Sequence, residues 1–121
     1  MISVDPTSSI SPTEQIRSQL EALIRTGQLT KDSRLPTVRQ LAVDLRVAIG
    51  TVAKAYKELE HVGMIRTGRA AGTRVNAGFV TTPPVLAAAQ AFARTAIDAG
   101  LDLDQARGIL ATGWGSYVKS S

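Results

Sequence analysis

Cysteine and histidine, two residue types that often carry catalytic chemistry, are almost absent from this chain of 121 residues. It contains no cysteine and one histidine, His61, so disulfides, thiolate metal sites and histidine-based zinc clusters are excluded. Neither a Ser-His-Asp triad nor a phosphate-binding loop is recognisable. We therefore expect no enzymatic activity, no catalytic residue, no bound metal and no cofactor.

Positive charge is the residue property with the clearest pattern. Up to residue 78 the chain has eleven Lys and Arg against seven Asp and Glu, whereas the remainder has three of each. The whole net charge of +4 therefore lies in the first two-thirds of the sequence. A basic region joined to a neutral, alanine-rich region suggests one surface for a polyanion and another for protein.

Cap residues and apolar spacing predict three helices in the first half of the chain. Ser11 caps the first, which ends at Gly27, and residues 29–36 form a loop. Thr37 caps a short second helix, and only residues 46–49 separate it from a third. Two short amphipathic helices joined by such a tight turn predict a helix-turn-helix. The core-facing residues are expected to be Ile16, Leu20, Leu23, Ile24, Val38, Leu41, Ala42, Leu45, Val52, Ala55, Tyr56 and Leu59.

A β-hairpin is predicted next. Residues 64–67 and 73–75 resemble short strands, and Gly68 and Gly72 bracket the polar loop between them. This hairpin carries three arginines and no acidic residue. Beyond a linker over 77–84, Thr82 is expected to cap a fourth helix that ends at Gly100, and Asp102 a fifth.

The expected fold class is mainly α (α+β). Residues 1–78 form an N-terminal winged helix-turn-helix DNA-binding domain with a small β-hairpin wing, and residues 79–121 form a C-terminal two-helix dimerisation hairpin. Two helices with broad apolar faces cannot cover each other alone, so a symmetric partner is expected. No apolar run is long enough to span a membrane. The predicted dimerisation residues are Leu86, Ala89, Phe92, Ala93, Ala96, Ile97, Leu103, Ala106, Leu110, Trp114 and Tyr117.

A helix-turn-helix presents the N-terminal end of its second helix to the DNA major groove. Thr51 can donate to a phosphate, and Lys54 can reach phosphate or guanine. Gly50 would let the backbone approach DNA, and Ile49 can contact a thymine methyl. Arg34 and Arg39 flank this surface, and Arg69 at the hairpin tip can enter the minor groove.

The stretch Ser11–Asn76 resembles the DNA-binding domain of the GntR family of bacterial transcription regulators. Three segments carry the resemblance in order and spacing: Leu-Pro-Thr-Val-Arg at 35–39, Ala-Tyr-Lys-Glu-Leu-Glu at 55–60 and Gly-Thr-Arg-Val at 72–75. The resemblance implies that Arg39 and Thr51 contact DNA and that Arg69 and Ala70 form the wing tip. The short C-terminal part is similar to the YtrA-like subfamily. The complete predicted set of DNA contacts is Arg34, Thr37, Arg39, Ile49, Gly50, Thr51, Lys54, Arg66, Arg69, Ala70 and Thr73.

The sequence departs from the family pattern around the turn. Arg46 replaces a glycine whose left-handed conformation costs other residues roughly 1–2 kcal/mol. Ala48 replaces a serine cap worth roughly 1 kcal/mol. Ile49 replaces an arginine. If one phosphate contact is lost, the slope of the logarithm of affinity against the logarithm of salt concentration becomes shallower by about 0.9.

The function that these observations predict is a cytoplasmic, sequence-specific transcription regulator, most simply a repressor that binds a palindromic operator in double-stranded DNA as a homodimer. Two alternatives stay open. One is a regulator that responds to an unknown small-molecule effector in a pocket lined by Phe92, Trp114 and Tyr117. The other is a protein-interaction module with reduced DNA binding, which Ala48 and Ile49 would suit.

Overall fold

Three helices, one β-hairpin and two further helices follow one another along the chain, in the order that the sequence predicts. The computed structural model describes residues 1–120, with side chains up to Lys119. By internal packing the chain divides into an N-terminal unit, Met1–Thr81, and a second unit that begins at Thr82. The elements are α1 (Pro12–Arg25), α2 (Val38–Leu45), α3 (Ile49–His61), β1 (Ile65–Gly68), β2 (Gly72–Val75), α4 (Pro83–Asp98) and α5 (Leu103–Ser120).

Local capping explains where the helices of the N-terminal unit begin. The Ser11 hydroxyl accepts a hydrogen bond from the Glu14 amide at 3.2 Å, and the Thr37 hydroxyl accepts one from the Gln40 amide at 3.0 Å. Each bond satisfies a first-turn N–H that has no partner inside its own helix. Both predicted N-caps are therefore confirmed.

The core of the N-terminal unit is formed by aliphatic residues from α1, α2, α3 and the hairpin. The predicted stripe of α3, namely Val52, Ala55, Tyr56 and Leu59, is buried, as are Ile16, Leu20 and Ile24 of α1. Leu35, Leu41, Ala42, Met64, Ile65 and Val75 complete the cluster. Burial of this apolar surface is the main force that holds the helices together.

The wing is larger than the sequence predicts. β1 and β2 pair antiparallel with Ile65 opposite Val75. Part of the predicted loop 29–36 adds to the other edge of β2: the Leu35 amide donates to the Thr73 carbonyl at 2.8 Å, and the Val75 amide donates to the Ser33 carbonyl at 3.0 Å. The segment is a loop, as predicted, but the sequence did not indicate its bridge to β2, because the pairing joins residues about forty positions apart and leaves no local pattern.

The N-terminal segment lies along α1, which the sequence did not suggest. The side-chain amide of Gln19 bonds both backbone groups of Ser3, at 3.1 and 2.6 Å. The amide of Gln15 does the same for Asp5, at 2.8 and 2.9 Å. Two glutamines one turn apart thus hold an extended segment whose Ile2 and Val4 pack against the core.

The second unit, called here the C-terminal hairpin, consists of α4 and α5. The predicted cap at Asp102 is confirmed: its carboxylate accepts from the Gln105 amide at 2.8 Å, and the Gln105 side chain accepts from the Asp102 amide at 2.9 Å. Thr82 precedes α4 but makes no side-chain cap bond. The reason is that Pro84 has no N–H and the Val85 amide already donates to the Thr82 carbonyl.

Large apolar side chains on the C-terminal hairpin remain in contact with solvent. Of its predicted dimerisation residues, Ala96 and Ala106 are buried, and Leu86 and Phe92 are half-buried. Trp114 and Tyr117 are 73% and 77% exposed. No helix in the described part of the chain is long and apolar enough to cross a membrane. The exposed members of the predicted set are Ala89, Ala93, Ile97, Leu103, Leu110, Trp114 and Tyr117.

Candidate nucleic-acid interface

The turn between α2 and α3 is closed by a left-handed residue. Arg46 has φ 57° and ψ 46°, as the departure from glycine at this position suggested. The Val47 amide donates back to the Ala42 carbonyl at 3.1 Å, the bond that closes a helix through a left-handed C′ residue. Val47 packs against the core, so the start of α3 is held firmly against the end of α2.

The first turns of α3 present small and apolar groups to solvent. Ala48 occupies the N-cap position and provides no side-chain bond, as its residue type predicts. Ile49, Gly50, Ala53 and Lys54 are exposed. Thr51 is half-buried, and its carbonyl accepts a bond from the Thr13 hydroxyl of α1 at 3.3 Å. That contact anchors the N-terminal end of α3 to α1.

Besides Arg34, three predicted contacts have charges that the protein leaves unpaired: Arg39, Lys54 and Arg69. They lie on α2, on α3 and at the wing tip, and all three are exposed. Among the described side chains, no ion pair joins any of them to an acidic residue. Their charges are therefore available to an anion from outside the chain.

Arg66 has a different environment from these three residues. Its guanidinium donates to the Asp32 carboxylate at 2.6 Å, to the Asn76 side chain at 2.7 Å and to the Val75 carbonyl at 3.1 Å. The bond from Arg66 lowers the pKa of Asp32 below its ordinary value of 3.8. Arg66 thus ties the wing to the preceding loop, and its contact with DNA stays a prediction.

The remaining predicted residues also have structural partners. The Thr37 hydroxyl caps α2, and the Thr73 hydroxyl lies 3.4 Å from that of Thr67 across the hairpin. The Arg34 guanidinium covers Gly72, where a Cβ would lie 2.8 Å from its Nε. Gly72 also has φ +71°, a conformation that favours glycine. Ala70 is exposed at the wing tip.

Tyr56 connects α3 to the segment before α2. Its hydroxyl donates to the Pro36 carbonyl at 2.6 Å, and its ring is buried. Burial raises the pKa of Tyr56 to about 12, so the phenol stays protonated and keeps donating at neutral pH. The bond positions the residue before the Thr37 cap.

Ala53 and Lys57 are exposed on the same side of α3 as Gly50 and Lys54, although neither was among the predicted contacts. The helical spacing from Ile49 to Ala53 and from Lys54 to Lys57 was the signal that could have identified them. In residues 1–120 no group of three or more His, Asp or Glu side chains could hold a metal ion.

Comparison with known proteins agrees with this geometry. Residues 12–75 match the family described as "Bacterial regulatory proteins, gntR family". The chain is 43% identical over 82 residues to the "HTH-type transcriptional repressor YtrA" of Bacillus subtilis, which covers 68% of this chain and 63% of that protein. It is 40% identical over 88 residues to the "HTH-type transcriptional regulator Rv1152" of Mycobacterium tuberculosis, 73% of each chain.

A solved structure supports the same assignment. YtrA from Sulfolobus acidocaldarius, a GntR-family transcription factor, superposes with a TM-score of 0.58 and 28% identity, over 77% of this chain and 95% of that one. The winged helix-turn-helix fold is thus confirmed, and these relatives are named as transcription regulators. This chain belongs to the GntR family of bacterial regulatory proteins, in its YtrA-like branch, and is a DNA-binding transcription regulator.

Proposed function

We propose that this protein binds a palindromic operator as a homodimer and represses transcription by occupying it. The observation that carries the proposal is the placement of three unpaired cations, Arg39, Lys54 and Arg69, on the two helices and the wing of one helix-turn-helix. A duplex offers phosphates on both sides of a groove, so cations on these elements have matching partners.

Each predicted contact has a distinct part in this complex. Arg39 and Lys54 bind the DNA at the edge of the major groove, with Thr51 and Thr37 beside them. Arg69 and Ala70 enter the adjoining minor groove. Arg34, Arg66 and Thr73 support the wing from within, and Lys57 adds a cation on the side of α3 that faces the duplex.

The C-terminal hairpin provides the dimer contact. Its exposed apolar side chains include Ile97, Leu110 and Trp114, and a stable interface buries about 800 Å² on each partner. Several large side chains of this kind suffice for such an area, since an aromatic residue alone buries about 150–250 Å². Residues 1–78 then act as the DNA-binding domain and 79–121 as the dimerisation domain.

Repression requires only that the bound dimer block the polymerase. The related protein of Bacillus subtilis is named a repressor. We assign repression to this protein as well. It would act in the cytoplasm, where bacterial DNA lies.

Selection of bound duplexes from a random DNA library tests the proposal. The expected product is an inverted repeat whose half-sites are about 34 Å apart, or a multiple of that distance, because a twofold dimer presents two copies of α3. Binding should weaken with salt at a logarithmic slope of about −0.9 for each phosphate neutralised. Absence of any enriched sequence at low salt would refute operator binding, and a single unrepeated half-site would refute the symmetric dimer.

A small-molecule response is a second candidate, favoured by a cavity of about 230 Å³ within the C-terminal hairpin. Phe92, Ala96, Leu101 and Leu110 are among its lining residues, whereas the predicted Trp114 and Tyr117 are not. The lining predicts a small apolar ligand. A thermal-shift screen of metabolites, repeated with Phe92→Ala, tests it: a ligand whose shift disappears in the variant supports the cavity, and no shift for any compound rejects it.

A further inference from the structure

We propose that α3 recognises thymine through methyl contacts made by Ile49, helped by the small residues Gly50 and Ala53. This inference rests on the proposed operator binding and specifies the base that the operator must carry. It concerns the first turns of α3, where Ile49 stands in place of the arginine of other family members. An arginine at that position would bind polar or charged groups of the DNA instead of a methyl.

Gly50 and Ala53 lie on the exposed face of α3, and Ile49 lies where that face meets the buried stripe, three residues before Val52. Ile49 and Ala53 are one turn apart, and the charged residues Lys54 and Lys57 follow them. The first turn of α3 therefore presents aliphatic carbon, together with the half-buried Thr51 hydroxyl, and carries no charge.

Neither Ile49 nor Gly50 is explained by packing within the chain. Ile49 is 49% exposed, so much of its side chain is accessible to a group outside the chain. A Cβ at Gly50 would meet no atom within 4 Å, and Gly50 is not among the glycines with positive φ. Glycine inside a helix costs roughly 0.5–1 kcal/mol relative to alanine. A contact outside the chain accounts for both residues.

Thymine is the base that such a surface selects. Its C5 methyl is the one apolar group that a standard base pair presents in the major groove. At the base step that Ile49 itself contacts, guanine would place its O6 and N7 acceptors against aliphatic carbon, and an unsatisfied buried polar group is costly. The small side chains at 50 and 53 let the helix approach closely enough for Ile49 to touch that methyl.

Replacing thymine by deoxyuridine in the selected operator tests this directly, because the change removes the methyl and keeps the base pair. A buried methyl is worth about fourfold in affinity, so each half-site substituted at the contacted step should weaken binding about fourfold. Measurements at fixed salt by gel shift or fluorescence anisotropy give the ratio between the two duplexes.

Two matched variants connect the effect to Ile49. Ile49→Ala should bind the thymine and deoxyuridine duplexes nearly equally, because the side chain that contacts the methyl is gone. Val62→Ala truncates a residue that is 58% exposed just beyond the opposite end of α3 and should keep the full ratio. Both sites are exposed, so neither variant should unfold.

The possible results separate this inference from the function on which it rests. Equal binding of both duplexes by the unmodified protein, or an undiminished ratio in Ile49→Ala, would overturn thymine recognition while leaving operator binding intact. Failure to enrich any duplex would overturn both. As a positive counterpart, Ile49→Arg should select guanine at the step where the parent selects thymine.

Discussion

The N-terminal unit and the C-terminal hairpin use the same aliphatic residues with opposite outcomes. In the N-terminal unit, isoleucine, leucine and valine from five elements meet in one buried cluster. Among the residues of the hairpin whose side chains are described, up to Lys119, only the alanines Ala96 and Ala106 are buried, while Ile97, Leu103 and Trp114 stay exposed. Both regions are rich in apolar residues, but only the N-terminal unit buries its large apolar side chains within its own chain.

The difference indicates how each region is stabilised. The N-terminal unit has a cooperative core and should have a stability that is independent of concentration. Two helices alone provide one shared contact line, which leaves most of each apolar face uncovered. The proposed homodimer would cover that surface, so the hairpin's stability should follow protein concentration.

The largest expected effect comes from Leu110→Ser in the hairpin. Loss of one large aliphatic side chain from each protomer should weaken the proposed dimer by about 3–6 kcal/mol, since each buried leucine contributes about 1.5–3 kcal/mol. Trp114, the only tryptophan in the sequence, is the reporter. Its emission should shift to longer wavelength when dilution dissociates the dimer. In the variant this shift should occur at a higher protein concentration than in the unmodified protein. Sedimentation gives the oligomeric state independently.

Ile109→Ser is the control for that experiment. Ile109 is 52% exposed against 53% for Leu110, but it lies outside the predicted dimerisation face. The dimer of the Ile109→Ser variant should dissociate at nearly the same protein concentration as that of the unmodified protein. Equal weakening by both variants would mean that the predicted face is wrong, and a monomer at every concentration would reject the dimer.

Next in size is Leu20→Ala in the core of the N-terminal unit. Leu20 is fully buried on α1, so its truncation should lower the free energy of unfolding by about 2–5 kcal/mol. Urea unfolding followed by circular dichroism measures the loss, which should not depend on protein concentration. Val43→Ala on the exposed side of α2 should change stability by less than about 0.5 kcal/mol. Similar losses from both would contradict the division between core and surface.

Arg39→Ala should change function and leave both units folded. We expect operator binding to weaken by about 1–3 kcal/mol because one DNA contact is lost. The variant should keep the urea midpoint and the dimerisation constant of the unmodified protein. Unchanged affinity would show that α2 does not lie beside the duplex.

The smallest expected effect is that of Tyr56→Phe, which removes the bond to the Pro36 carbonyl. Stability should fall by about 1 kcal/mol. The pKa of Tyr56 is raised from 10.0 to about 12, so the stability linked to its protonated form is complete below pH 10 and is lost as the pH rises through 12. The stability of the unmodified protein should therefore fall above pH 10, whereas Tyr56→Phe lacks the titrating group and should not show this loss, so the advantage of the unmodified protein disappears. A constant difference up to pH 12 would show that burial does not raise the pKa of Tyr56.

Features with a local cause could be predicted from the sequence. Hydroxyl and carboxylate caps at Ser11, Thr37 and Asp102 act within four residues. The left-handed Arg46 was expected from the family resemblance, which implies a glycine at that position. The buried residues of α3 recur with the helical period, and this spacing can be read from the sequence without knowledge of the tertiary packing. Locally determined structure of this kind was predicted correctly, apart from Thr82, where consecutive prolines remove the donor.

The sequence by itself determined the helices, the hairpin turn, the excess of positive charge and the family. Only the tertiary structure decided which arginines are available. Arg66 and Arg69 are three residues apart on one hairpin and both are exposed, yet Arg66 is held by Asp32 and Asn76, whereas Arg69 has no ion pair among the described side chains. The addition of Ser33–Leu35 to β2 likewise depends on distant backbone groups. Such contacts join residues far apart in the chain, and their free energy exists only once the core has brought them together.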